Sequence, residues 1–156
     1  MNLEFGPTPI DTIRSISGLE FLRRIKDEEL PQPTIHRALA FRLHELEEGR
    51  AVFVGEASAD YMNPLGTIHG GFVSALLDSA MAYSAHSLCP AGTANTTVEF
   101  KLNFVRPLSL KEGLLFAEGR VLNPGRTLTT TEGFLRNETG KLFAHGTQTC
   151  MRIELS

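Results

Sequence analysis

The sequence predicts an α+β fold in which one long central helix is wrapped by a curved antiparallel sheet of five to six strands. Three observations carry that expectation. Residues 70–87 are apolar nearly all round, the pattern of a helix buried on every side rather than lying at a surface. Everything after them reads as strands separated by turn signals, and two further strands precede them. A single helix can bury all of its faces against strands only if the sheet curls around it.

The elements follow in chain order. Ser17-Gly18-Leu19-Glu20 spells a capping box, and Leu19, Leu22 and Ile25 recur at helical spacing among Arg23, Arg24, Lys26 and Asp27, which predicts a short surface helix. Leu30-Pro31-Gln32-Pro33 stops it, because proline lacks the N–H to continue the ladder and pushes its predecessor into extended backbone. A strand is expected over 35–46, from Ile35, Leu39, Phe41 and Leu43, and another over 50–57, from Val52, Phe53 and Val54. The turn Glu47-Glu48-Gly49 would join them as a hairpin. An irregular loop over 58–69 leads into the central helix.

Beyond the helix, residues 97–104 alternate, with Val98, Phe100, Leu102 and Phe104 against Thr97, Glu99, Lys101 and Asn103, so one face of that strand is expected to be covered. Strands over 114–122, 127–137 and 142–153 are separated by Asn123-Pro124-Gly125 and Asn137-Glu138-Thr139-Gly140, both turn signals between antiparallel neighbours. Residues 1–34 read as an N-terminal helical extension packed on a single domain spanning 35–156.

Composition narrows the function classes. A hydrophobic content of 42% in 156 residues suffices for one core. The net charge of −3 comes from 15 basic and 18 acidic side chains that are dispersed, which gives no footprint for nucleic acid or for an anionic membrane surface. The first residues lack the basic-then-apolar order of a signal peptide, and the longest apolar run is interrupted by Asp78 well short of membrane length, so a cytoplasmic protein is expected. Cys89 and Cys150 belong to no metal-ligand spacing and suggest no disulfide framework.

Asp78 is the most informative single residue. It sits in Val73-Ser74-Ala75-Leu76-Leu77-Asp78-Ser79-Ala80-Met81, where an unpaired carboxylate would be costly. Either it is paired structurally or it does chemistry.

Several motifs surround it: Asn63-Pro64-Leu65-Gly66-Thr67-Ile68-His69-Gly70-Gly71, Leu76-Leu77-Asp78-Ser79-Ala80, Asn103-Phe104-Val105-Arg106-Pro107, Gly125-Arg126, and Gly140-Lys141-Leu142-Phe143-Ala144-His145-Gly146. With their spacing, and from about residue 31 to the end, they resemble the hotdog-fold thioesterases, most closely the phenylacetate-degradation thioesterase-like group. That resemblance implies hydrolysis of acyl-coenzyme A thioesters without metal or bound cofactor, in homodimers that often pair into tetramers. It implies that Asp78 is the catalytic carboxylate, as base or nucleophile, and that Gly70 is the backbone donor of the oxyanion hole. By the same resemblance Asn63 and His69 orient the thioester carbonyl or line its pocket, and Thr96 positions the water or the carboxylate. Gly71, Arg106, Arg126, Tyr83 and His86 complete the candidate substrate-binding set, the two arginines toward coenzyme A phosphates and the other two side chains toward the acyl group.

The residues themselves constrain this assignment. Thioester hydrolysis needs donors aimed at a developing oxyanion and a base or nucleophile at the carbonyl carbon. Gly70 opens a helix, where the first N–H groups are unpaired and the dipole favours negative charge. Asp78 lies eight residues on (78 − 70), which at about 1.5 Å per residue separates the two by roughly 12 Å. One reacting carbon cannot touch both, so if both serve one reaction they come from two copies of the chain, with helices antiparallel across a two-fold axis. Small residues Ser74, Ala75, Ser79, Ala80, Ala82 and Ala85 suit such an approach, or equally close packing within one subunit. Thr96 shares the parity of Val98 and Phe100, which would aim its hydroxyl at the helix.

Other readings stay open at this point. Asp78 could be held in a structural pair, His69 could be only a helix cap, Asn63 only a turn former beside Pro64, and Arg106 and Arg126 only solvated cations, while core packing is the default for Tyr83. A hydratase or dehydratase using His69, or a non-catalytic acyl-coenzyme A binder, would fit the same fold.

Overall fold

The computed structural model describes residues 3–156. Short helices come first: α1 (Ile10–Ser15), α2 (Gly18–Lys26) and α3 (Thr34–Ala38). The hairpin β1 (Phe41–Glu47) and β2 (Arg50–Glu56) follows, then a loop with one 3-10 turn at Ala59–Tyr61, and then the central helix α4 (Gly70–His86). Four strands complete the chain: β3 (Thr93–Phe104), β4 (Leu114–Pro124), β5 (Leu128–Asn137) and β6 (Leu142–Glu154). All pairings are antiparallel in one six-stranded sheet of order β1-β2-β4-β5-β6-β3.

The sheet wraps α4 as expected. Leu76, Leu77, Ala80 and Met81 are fully buried, together with Phe53, Leu115, Ala117, Leu135 and Ala144 from the strands. The close approach has a source that alternation alone does not reveal. Gly119, Gly133 and Gly146 pair with one another in register across β4, β5 and β6, forming a side-chain-free row. A Cβ on Gly119 would overlap the Ala80 carbonyl, and one on Gly133 would press on Met81 and Leu77. Since the Ala80 carbonyl is backbone and cannot swing aside, Gly119→Ala is expected to destabilise the fold by about 3 kcal/mol. A thermal melt checks this, and an unchanged midpoint would contradict the account of the packing.

The N-terminal extension docks through α2. Ser17 caps the helix by accepting the Glu20 N–H at 3.3 Å, as the capping box predicts. Leu22 and Ile25 face inward and are buried. Gly18 lies directly against the backbone of His86, at the end of α4.

Two expectations are corrected. The strand expected over 35–46 begins only at Phe41, and residues Thr34–Ala38 form α3. Pro33, at φ −54°, starts that turn, and burial has the opposite parity to the apolar pattern: Ile35 is exposed while His36 is buried between Phe41, Phe53 and Tyr83. The turn therefore also straddles the junction expected between residues 34 and 35. The second correction concerns β3. It is an edge of the sheet, and of its four apolar residues only Leu102 packs on the core: Val98 is 51% exposed, Phe100 41% and Phe104 56%.

Burial lowers the His36 pKa to about 4, and its Nδ1 has no hydrogen-bond partner among the described residues. A histidine depressed in the folded state binds protons more readily when unfolded, so stability is expected to fall as pH drops from about 6.5 toward about 4. Allowing for the part of the ring that solvent reaches, the loss should be roughly 2 kcal/mol. Urea titrations of the wild type and His36→Phe at pH 7 and pH 4.5 check it, the variant losing less on acidification.

Candidate active site at the edge of the sheet

Two clusters carry the chemistry-bearing residues, and both lie along α4. The first is its N-terminus. Asn63 closes the preceding loop on itself: its Oδ1 accepts from Leu65 N–H at 2.9 Å and Thr67 N–H at 3.3 Å, and its Nδ2 donates to Thr67 Oγ1 at 2.8 Å. The loop is tied down by Ile68 N–H to Leu108 O at 3.0 Å and His69 N–H to Tyr61 O at 2.7 Å. His69 is the N-cap, with Nδ1 accepting from Gly71 N–H at 2.8 Å and its carbonyl accepting from Phe72 N–H at 3.1 Å.

The N–H that this cap leaves over is that of Gly70, for which the described residues supply no acceptor. Gly70 lines a cavity of about 340 Å³ together with Ile68, Val73, Phe104, Arg106 and Leu108 among others. Glycine leaves the donor uncrowded: a Cβ here would stand 3.1 Å from the Phe104 ring, a contact that a shift of that ring by a few tenths of an ångström would relieve. A lone donor at a helix N-terminus, in an apolar-walled cavity, is suited to a developing negative charge.

The second cluster is at mid-helix. Asp78 is half-buried, and its Oδ1 accepts from Thr97 Oγ1 at 3.0 Å and from the Gln148 amide. Gln148 Nε2 also donates to Thr97 Oγ1 at 3.0 Å, so the three side chains close a ring. Both donors land on Oδ1; among the described residues nothing binds Oδ2. Gln148 is itself held by the Cys150 thiol, Sγ to Oε1 at 3.5 Å, and burial pushes that thiol's pKa up, keeping its proton on sulfur.

Thr96 is not part of this ring. It is exposed, and Thr97 takes the place at Asp78. The reason is a bulge in β3: Thr97 pairs with Cys150 and Glu99 with Thr149, leaving Val98 as an extra residue. An inserted residue reverses the in-out parity of a strand, so Thr97 and Phe100 share the inner face although their numbers differ by an odd step.

Other expected site residues lie elsewhere. Tyr83 packs its ring on Phe53 at 4.9 Å, and burial pushes its hydroxyl pKa up. His86 donates or accepts through Nδ1 with Asn95 Oδ1 at 2.6 Å; because Asn95 Nδ2 already donates to Ala82 O, the histidine is the donor. Burial lowers the His86 pKa against that hydrogen bond, Nε2 has no partner among the described residues, and Phe21 from α2 packs against the ring. His86 thus anchors the N-terminal extension, while Tyr83 belongs to the aromatic cluster around Phe53 and His36. Arg106 is exposed on the rim of the Gly70 cavity and donates to Leu142 O at 2.6 Å, whereas Arg126 lies in a separate polar hollow with Thr93, Arg152 and Glu154. No three His, Cys, Asp or Glu side chains among the described residues are grouped to hold a metal ion, and no described helix is long and apolar enough to cross a membrane.

Comparison with known proteins bears on this arrangement. The family model of the thioesterase superfamily matches residues 65–144, from the loop before α4 into β6. Human acyl-coenzyme A thioesterase 13 is 30% identical over 103 residues, covering 65% of this chain and 71% of that protein. A phenylacetic acid degradation-related protein of Ralstonia eutropha JMP134 superposes with a TM-score of 0.77 at 28% identity, covering 84% of this chain and 98% of that one. The PaaI protein from the phenylacetic acid degradation operon of E. coli gives a TM-score of 0.72 at 25% identity, over 79% of this chain and 86% of that one.

Proposed function

Since the chain belongs to the thioesterase superfamily and is on that account a thioester hydrolase of the hotdog fold, we propose that it hydrolyses acyl-coenzyme A to free acid and coenzyme A in a site shared by two copies of the chain. The observation that carries this reading is the separation of two incomplete half-sites, each with a residue of the edge strand β3 against it, Phe104 at Gly70 and Thr97 at Asp78. The Gly70 N–H has a free hydrogen and no carboxylate; Asp78 has a free oxygen and no oxyanion donor. Along α4 they are roughly 12 Å apart, too far for one carbonyl carbon.

A second copy related by a two-fold axis supplies what each half lacks. The thioester carbonyl oxygen is received by the Gly70 N–H, reinforced by the helix dipole, while the partner subunit's Asp78 directs Oδ2 at the carbonyl carbon, either on a water molecule or directly. On the water route Oδ2 takes a proton as the water oxygen bonds to carbon, the carbon–sulfur bond breaks, and that proton leaves with sulfur as the coenzyme A thiol; on the direct route the thiolate leaves from a mixed anhydride on Asp78, which water then hydrolyses to the free acid and the restored carboxylate, the second water proton going to the thiolate. Val98, Phe100 and Phe104 support the dimer, since an edge strand with three large apolar side chains in solvent invites pairing. Arg106 on the cavity rim is the cation best placed to meet a coenzyme A phosphate. Two buried cysteines without a disulfide suit a reducing compartment such as the cytoplasm.

The capping bond to His69 Nδ1 favours hydrolysis over hydration, because a neutral ring that accepts at Nδ1 carries its proton on Nε2 and has no free lone pair there to take a proton from an acyl chain. Thiol release measured on a panel of aromatic and medium-chain acyl-coenzyme A substrates tests the proposal. Turnover to free thiol supports it; hydration of an enoyl thioester without thiol release would replace it with the hydratase reading.

A further inference from the structure

We propose that Gln148 is the positioning residue of the site: its carboxamide pins Oδ1 of Asp78 and thereby makes Oδ2 the working oxygen. The proposal rests on the reading of Asp78 as the acting carboxylate and goes beyond it by assigning how that carboxylate is aimed.

Gln148 projects from the inner face of β6, directly opposite Phe100 of the edge strand, and is 1% exposed. A buried amide must satisfy its polar atoms, and here it does so in only one orientation. Nε2 donates to Asp78 Oδ1 and to Thr97 Oγ1, and Oε1 accepts from the Cys150 thiol. Flipping the amide would set Oε1 against the carboxylate, two acceptors facing each other. Thr97 is equally constrained: it accepts from Gln148, so its own proton goes to Asp78. The ring is directional: Gln148 donates to Thr97, and both donate to Oδ1.

A half-buried carboxylate on a helix would otherwise rotate about its terminal torsion, which has no sharp minima. Two donors on one oxygen remove that freedom and leave Oδ2 without a partner among the described residues. Thr97 alone does not achieve this, because its hydroxyl could rotate away; Gln148 fixes the hydroxyl as well as the carboxylate. Loss of its amide therefore removes one bond to the carboxylate directly and the orientation of another indirectly.

The test is Gln148→Met, which keeps length and volume but removes both donors, introduced into the wild type and into Asp78→Asn. In the wild type kcat is expected to fall roughly 10- to 100-fold with KM nearly unchanged. In Asp78→Asn the same change should alter the residual rate less than about twofold, because the residue acts through the carboxylate. Equal losses in both backgrounds, or a rise in KM alone, would overturn the proposal and leave Gln148 a packing residue. If Gln148→Met does not fold, Gln148→Glu keeps the shape, sets a carboxyl group against Asp78, and should show the same background dependence. If the wild type releases no thiol at all, the functional reading fails instead, and the crystal structure of the variant decides the inference: an Asp78 carboxylate rotated off the β6 side supports it, and one unmoved contradicts it.

Discussion

Asp78→Asn is expected to lower kcat for acyl-coenzyme A hydrolysis by roughly 1,000-fold while KM and the melting temperature stay close to wild type. The substitution is a clean one because of the site's own hydrogen bonds. An asparagine can turn its carbonyl oxygen to the place of Oδ1 and still accept from Thr97 and Gln148, so neither donor is left buried and unpaired. What disappears is the negative charge and with it the capacity to take a proton or attack carbon. Steady-state kinetics with free thiol detection, alongside a thermal melt, checks the split. A variant that retains wild-type kcat would remove Asp78 from the chemistry and leave the ring a structural network.

Gly70→Pro is expected to reduce kcat roughly 100- to 1,000-fold, the usual effect of deleting one oxyanion donor. Backbone donors are difficult to remove by mutation, and this position is favourable for it. Gly70 is the first residue of α4, where proline is well tolerated because its missing N–H has no intrahelical acceptor to lose. The residue before it already has the extended backbone that a following proline demands, with His69 at φ −63° and ψ 138°. The added Cβ meets only the ring of Phe104, a half-exposed side chain on an edge strand that can shift by a few tenths of an ångström. Gly70→Ala is the control: it adds the same crowding but retains the N–H, so its kcat should stay within about threefold of wild type. If alanine is as damaging as proline, the effect is steric and the donor assignment fails.

Much of the architecture could be read from the chain before any coordinates. The central helix was legible to the residue at its start because apolar character all round and Gly70 both mark it, and the later strands were legible from alternation broken by Asn123-Pro124-Gly125 and Asn137 to Gly140. The hairpin partner was less so. Thr34 to Ala38 offers apolar and polar residues in an order compatible with either period, and only the tertiary pocket for His36 among Phe41, Phe53 and Tyr83 selects the helical turn. The row of Gly119, Gly133 and Gly146 is a property of register, which depends on how three strands are aligned and not on any one of them.

The candidate site divides in the same way. Asp78 and Gly70 were visible because each violates local expectation, a charge in an apolar helix and a bare backbone at a helix start. Thr97 was displaced by one position because a bulge leaves no signature in the order apolar, polar, apolar; it appears only when β3 is paired with β6. Gln148 had a signal that went unused. It falls in line with Ala144, Gly146 and Cys150, the inward residues of a strand, where an amide requires a buried partner. Tyr83 and His86 followed Asp78 at helical spacing, but the N-terminal extension covers that stretch of α4, and its contact with Phe21 and Gly18 could not be seen from spacing alone.

The central claim, that each active site is assembled from two chains, is tested most directly by mixing the two defective variants. Each variant alone, as a homodimer, is expected to be nearly inactive. A heterodimer of the two places both defects in one site and leaves the other site with an intact Gly70 and an intact Asp78. After unfolding and refolding an equimolar mixture, half of the dimers should be hybrids with one working site each, so activity should recover to about a quarter of wild type per chain. Recovery to that level, in a sample that light scattering shows to be dimeric or larger, is the predicted result. A mixture no more active than its components, or an active monomer, would contradict the shared site.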